Sequence, residues 1–296
     1  MLAIEDITEK RKVDKGLKLF SDELEKQVAE RTVSLHAANI ELHHSNENLE
    51  QFAYIASHDL QEPLRKIRTF STLLQDRVSS DLPEAAKELL SKINNSSERM
   101  STLIKEVLNF SKILHGDAEF EASDLNVIMN QMIDDFEVLI SEKKAVIHCG
   151  RLPVVEVIPT QINQLFYNLM SNSLKFSKKN TAPVITITSK LLVAEELKAY
   201  KGLNPGLSYC EICFKDNGIG FEQQFSDQIF LIFHRLNSRD QFLGTGIGLA
   251  LCKKIVINHH GEISGFSDEN EGALFQIILP LTQTDAALAK RPSNSR

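Results

Sequence analysis

Residues 17–78 carry no turn signal before Pro63, and this length of uninterrupted periodic text constrains the fold more than any other feature. It requires one long helix. Two series of seven-residue spacing run along it: Val28, Leu35, Leu42, Leu49, Ala56 and Leu24, Arg31, Ala38, Ser45, Phe52. As heptad positions d and a they make a two-stranded parallel coiled-coil seam. The a series is weak, because Arg31 and Ser45 are polar and Ala38 is small. A weak seam suits a signalling helix that shifts between registers.

Near the end of this helix stands "QFAYIASHDLQEPLRKI", residues 51–67. With Ala56 at d, His58 falls at f, facing away from the seam. Glu62 shares that face at i+4, and Asp59 lies about 100° round the helix. Pro63 removes an amide donor and clashes with the preceding turn, so a local bend is expected there. Leu64, Ile67, Ser71, Leu74 and Val78 then resume the pattern, and "SSDLPE" (79–84) is a turn with helix-start chemistry. A second helix follows, with Ala86, Leu90, Ile93, Ser97, Met100, Ile104, Val107 and Leu114 on one stripe. Leu89, Leu103, Leu108 and Phe110 widen the stripe beyond a two-helix seam. Such a hairpin fits a four-helix bundle made by two chains. "HGDAE" (115–119) closes the helix with a glycine.

The remainder changes character. Helical text at 124–143 and 160–178 alternates with strand text at 184–193, 209–216, 261–267 and 274–280, which indicates a separate α+β domain of about 165 residues. The last dozen residues read as a flexible tail. A net charge of −7 argues against nucleic acid as the main partner. No apolar run reaches bilayer length and the opening lacks a signal-peptide pattern, so a cytoplasmic chain without a membrane segment is expected. Cys210 and Cys213 form a C-x-x-C, but on a strand they face opposite sides and no second pair completes a metal site. The histidines other than His58, including the doublets at 43–44 and 259–260, read as solvated surface residues.

Four stretches of the second domain carry chemistry. In "NQLFYNLMSNSLKFS" (163–177), Asn168, Asn172 and Lys175 fall at i, i+4 and i+7 on one polar helix face, able to hold a hydrated Mg²⁺ and anionic phosphates. In "DNGIGF" (216–221), Asp216 can accept a hydrogen bond from an adenine amino group, while Gly218 and Gly220 let the backbone pass close to the base. "IFLIFHRL" (229–236), with Phe230 and Phe233, is too apolar for a free loop and is expected to pack on the domain or close over a ligand. In "GTGIGLAL" (244–251), Gly244, Gly246 and Gly248 lead into a helix whose N-terminal amides can face an anion. The spacing and lysine of a P-loop are absent.

All four in this order, together with the His58 stretch, resemble the core of a sensor histidine kinase of two-component signalling, over roughly residues 45–282. The second domain resembles the ATP-binding fold shared with DNA gyrase and mismatch-repair ATPases. The opening "IEDITEKRK" resembles the end of a PAS sensory domain. The resemblance implies a multidomain chain. Residues 1–16 end an upstream module, 17–50 form a signalling coiled coil, and 51–118 are the dimerisation and phosphotransfer helices. An α+β sandwich ATP-binding domain occupies 119–284 and a tail 285–296.

It further implies His58 as phosphoacceptor with Asp59 as its acidic neighbour, Asn172 as the main Mg²⁺ ligand, Asn168 and Lys175 as phosphate-side contacts, and Asp216 as adenine reader. Gly218, Gly220, Gly244, Thr245, Gly246, Gly248 and Leu249 would shape pocket and lid, Phe230 and Phe233 border it, and Arg235 and Arg239 supply lid cations. ATP and Mg²⁺ are the implied cofactors. The implied partners are a second copy of the chain and a response-regulator receiver domain. Many bifunctional relatives carry Thr or Asn where this chain has Glu62; a carboxylate there repels an anionic phosphoryl group, so weak phosphatase activity is expected. The alternatives are a gyrase-type ATPase clamp, which leaves the His58 helix unexplained, and a degenerate dimeric scaffold, against which the intact polar face and glycine loops speak.

Overall fold

The computed structural model describes residues 2–78, 83–112, 119–200, 202–236, 242, 244–268 and 271–283. Most of the turn expected at 79–84 and of the glycine stop at 115–119, together with Arg239 and the tail from 285, lie outside these. The chain divides into two compact units, Met1–Ala56 and Ser57–Arg296.

The long helix is present as α1, Leu2–Val78, and passes through Pro63 without interruption. Positions 16 and 50, where boundaries are expected, lie inside this helix, and a helix, which satisfies its backbone locally, can run through a change of module. In the first unit Leu24, Val28 and Leu35, described members of the heptad series, stand open at 45%, 63% and 71% exposure.

In the second unit α2, Glu84–Lys112, continues the helical part. Ser57, Leu64 and Ser71 of α1 are buried, seven residues apart, as are Ser97 and Ile104 of α2. Asn94 Nδ2 of α2 donates to Gln75 Oε1 of α1 at 3.3 Å. The buried stripe passes through Ser57, one position on from the d residue Ala56. Packing on both sides of Pro63 offsets the roughly 3 kcal/mol a helix-interior proline costs.

The rest of this unit is a two-layer α+β domain. A five-stranded sheet has the order β2-β4-β5-β7-β6, with β2 (Val146–Cys149) parallel to β4 (Val184–Leu191) and β5 (Tyr209–Asp216), β7 (Gly272–Pro280) and β6 (Glu262–Asp268) added antiparallel. A short ribbon pairs β1 (Glu121–Asp124) with β3 (Val154–Val157). Phe136 splits the helical text at 124–143 into α3, Leu125–Asp135, and α4, Glu137–Lys143. The principal helices on the sheet are α5, Pro159–Lys175, and α7, Gly248–Asn258. Strand alternation decides what lies between the layers: Cys210, Ile212 and Phe214 of β5 join Leu165, Phe166 and Leu169 of α5 in one core. On the opposite face, Tyr209 and Ile278 form a second small cluster with Leu192, Leu197 and Leu207, from the β4–β5 connection with its single turn α6, Ala194–Leu197.

One expectation is overturned here. His259, read as a surface residue, is fully buried beyond the end of α7. Its Nε2 accepts from the Ile158 amide at 3.0 Å and its Nδ1 donates to the Ile255 carbonyl at 2.8 Å. This neutral ring ties α7 to the start of α5.

Candidate nucleotide site

The alternation that buries Ile212 and Phe214 carries Asp216 onto the same face at the end of β5, beside α5. Its Oδ1 accepts from the Gly218 amide at 2.8 Å and the Ala273 amide at 3.2 Å, and its Oδ2 accepts from the Ser173 hydroxyl at 3.2 Å. Burial pushes the Asp216 carboxyl above its ordinary value, and these three donors oppose that shift. Each carboxylate oxygen has two lone-pair sites, so Oδ2 keeps acceptor capacity for a ligand amino group. Gly218 lies behind the carboxylate, where a Cβ would come within 2.6 Å of the Phe176 carbonyl.

Asp216 lines a cavity of about 380 Å³. The face of α5 supplies Asn168, Ser171, Asn172 and Lys175, as helical spacing requires. Gly220, Arg235, Gly244, Thr245, Gly246, Gly248 and Leu249 line it as well. Asn168 Nδ2 donates to the Gly248 carbonyl at 3.3 Å, joining α5 to the first turn of α7. Arg235 donates to the carbonyls of Phe242 at 2.6 Å and Gly244 at 2.9 Å, which fixes the glycine loop. A Cβ on Gly244 would run into the Lys175 ammonium. Burial lowers the Lys175 pKa and the nearby Arg235 lowers it further, while Glu106 opposes both. The Thr245 hydroxyl donates a short hydrogen bond to the Glu106 carboxylate of α2.

Sequence and structure part at three points. Phe230 is buried beneath α7, with the Lys253 ammonium 5.5 Å from its ring centroid, and Phe233 is 60% exposed with a left-handed φ of 64°. Neither lines the cavity; from that stretch Ile229, His234, Arg235 and Leu236 do. The 3₁₀ turn Gln228–Phe230 sends Ile229 and Phe230 inward, and the Phe233 amide bonds the Gly246 carbonyl at 3.0 Å. Second, Ser171 and Ser173 were not foreseen; Ser171 lies three residues from Asn168 and was findable on the same helical face. Third, Glu106 comes from the other helical element, and nothing in its local sequence marks it.

His58 and Asp59 lie on α1, and Asp59 does not line the cavity. Asp59 is exposed, and Glu62 pairs with Lys66 at 2.7 Å. Burial pushes the Cys210 and Cys252 thiols up to about 12 and Cys213 up to about 11, which leaves them protonated and unreactive. Among the described residues no group of His, Cys, Asp and Glu could hold a metal ion, and no helix is long and apolar enough to cross a membrane.

Residues 48–116 match the His Kinase A (phospho-acceptor) domain, and residues 158–283 match the histidine kinase-, DNA gyrase B-, and HSP90-like ATPase family. The chain is 38% identical over 241 residues to Cyanobacterial phytochrome A of Nostoc sp., a match covering 81% of this chain and 30% of that protein. It is 35% identical over 240 residues to Phytochrome-like protein Cph1 of Synechocystis sp., with the same two shares, 81% and 30%. The chain thus spans about 30% of the length of these relatives. The fold is also that of full-length ShkA in complex with AMPPNP, with a TM-score of 0.58 at 18% identity over 78% of this chain and 45% of that one. The chain belongs to the sensor histidine kinases of two-component systems, with a helical phosphoacceptor region followed by an ATP-binding domain.

Proposed function

We propose that this chain transfers the γ-phosphoryl group of ATP to His58 and passes it to an aspartate of a response-regulator receiver domain. The observation that carries the reading is the meeting, in one cavity, of the Asn168–Asn172–Lys175 face, Asp216 and the glycine loop. Asp216 Oδ2 takes the adenine amino group, where guanine would present a carbonyl. Lys175 and the Thr245 hydroxyl take phosphate oxygens. A lysine whose pKa is lowered by burial gains most from an arriving anion.

The donor set also fits Mg²⁺. The amide oxygen of Asn172 would be a protein ligand, with phosphate oxygens and water completing the shell, because magnesium dehydrates reluctantly and is commonly shared with a nucleotide. When bound, it neutralises charge on the phosphates. At His58, a neutral imidazole nitrogen attacks the γ-phosphorus, the bond to the β-phosphate oxygen breaks and ADP leaves. Asp59 accepts from the other ring N–H, fixing the tautomer, and the ring sheds that proton to give the neutral-ring phosphoramidate. Its lability suits onward transfer.

The working unit is a cytoplasmic homodimer, divided as residues 17–50, 51–118 and 119–284, after the end of a PAS-like module. Incubation with labelled ATP and Mg²⁺ tests the site. Wild type is expected to retain acid-labile, base-stable label and His58→Gln none; label of that kind surviving in the variant would move the phosphoacceptor elsewhere.

A further inference from the structure

Among the described residues the cavity holds two carboxylates. Asp216 belongs to the ATP-binding domain itself. Glu106 reaches in from α2, where it accepts the Thr245 hydroxyl of the glycine loop. Its charge also acts on Lys175, supporting the ammonium against burial and against Arg235. One helical turn further along the same face of α2, the Phe110 carbonyl accepts from Lys254 Nζ of α7 at 2.6 Å. The same ammonium lies 4.2 Å from the Phe110 ring centroid, and the ring packs against the domain core. α2 is therefore fastened to the ATP-binding domain at two points, one inside the cavity and one outside it.

We propose that Glu106 is a carboxylate latch, occupying the phosphate end of the pocket so that docking of α2 on the glycine loop and binding of the ATP phosphates exclude one another. This rests on the reading of the cavity as the ATP site. A threonine hydroxyl has one proton, so Thr245 donates either to Glu106 or to a phosphate oxygen. Lys175 faces the same choice between two anions, and a carboxylate left in place would stand against a polyphosphate as a like charge. Entry of ATP thus releases α2, and a docked α2 lowers apparent ATP affinity by the fraction of molecules held closed. The nucleotide-free domain is parked on α2, and it is freed only when loaded. Lys254, outside the cavity, holds the parked state without touching the nucleotide.

Calorimetric titration of the full chain with AMPPNP in Mg²⁺, and separately with adenosine, tests this. Glu106→Gln is expected to bind AMPPNP about tenfold tighter than wild type, the scale of one charge-assisted hydrogen bond, with adenosine unchanged. Lys254→Ala is expected to tighten AMPPNP in the same direction by a smaller factor. Equal or weaker AMPPNP binding by Glu106→Gln overturns the latch, as does equal tightening of adenosine, which would place the carboxylate away from the phosphates. Tightening by Glu106→Gln but not by Lys254→Ala overturns the docking and leaves a local charge effect. Absence of binding of either ligand by wild type overturns the ATP-site reading itself.

Discussion

At the scale of single residues, His259 shows what a sequence hides. Beside His260 and before a glycine it reads as a polar helix end. Its burial depends on Ile158, which is 101 residues away in the chain. Burial lowers its pKa from 6.5 to about 4. A base whose folded pKa is depressed binds fewer protons folded than unfolded between those two values, so its contribution is complete above about pH 6.5 and is lost as pH falls toward 4. The loss amounts to about 3 kcal/mol, taking 1.36 kcal/mol per pKa unit. Urea unfolding followed from pH 7 to pH 4 is expected to show this decline, and His259→Gln to flatten it. An equal slope in the variant would assign the acid sensitivity to other groups. Asp216, by contrast, was legible, because strand alternation and the following Asn-Gly fix its face and its place at a strand end.

At the scale of elements, legibility followed length and partner distance. The helix α5 and strands β5 and β7 carry enough residues for period 3.6 or period 2 to show. The strands β1, β2 and β3 have four residues each, too few for alternation, and β1 finds its partner β3 thirty or more positions away. The polar face of α5 was readable from spacing alone, while the site's debt to β7 was not. Gly272, which opens β7 at φ 104°, would drive a Cβ into the Asp216 carbonyl. Gly272→Ala is thus expected to cost about 1–3 kcal/mol of stability, the usual range for forced backbone strain, and to weaken nucleotide binding by displacing Asp216. Gly202→Ala, where nothing lies within 4 Å, serves as the control. Thermal unfolding and AMPPNP titration of both variants decide it: if Gly272→Ala behaves like Gly202→Ala, the tip of β7 does not position the carboxylate.

At the scale of the whole molecule, the helical hairpin has more apolar surface than one chain can cover. The buried positions are Ser57, Leu64 and Ser71 on α1 and Ser97 and Ile104 on α2, and most of them are small. Three positions round, Leu60, Ile67 and Leu74 repeat the heptad at 53%, 45% and 48% exposure, and on α2 Ile93 and Met100 stand 44% and 48% exposed. Among the described residues both helices thus present a second, half-exposed stripe with the same seven-residue period. The excess of apolar positions was visible in the sequence as a stripe too wide for two helices; which positions close within the chain and which remain open was not, because that depends on how α1 and α2 face each other. A second copy of the hairpin would cover the open stripes and complete four helices. Each Leu or Ile so buried contributes about 1.5–3 kcal/mol, and a glutamate in its place is left desolvated without a counter-ion. Sedimentation equilibrium is expected to give twice the 33.3 kDa chain mass for wild type and the single-chain mass for Ile67→Glu combined with Ile93→Glu. AMPPNP binding is expected to survive in that variant, since neither residue lines the cavity. A variant that stays dimeric would show that the open stripes are not the interface and that the two chains are held together elsewhere.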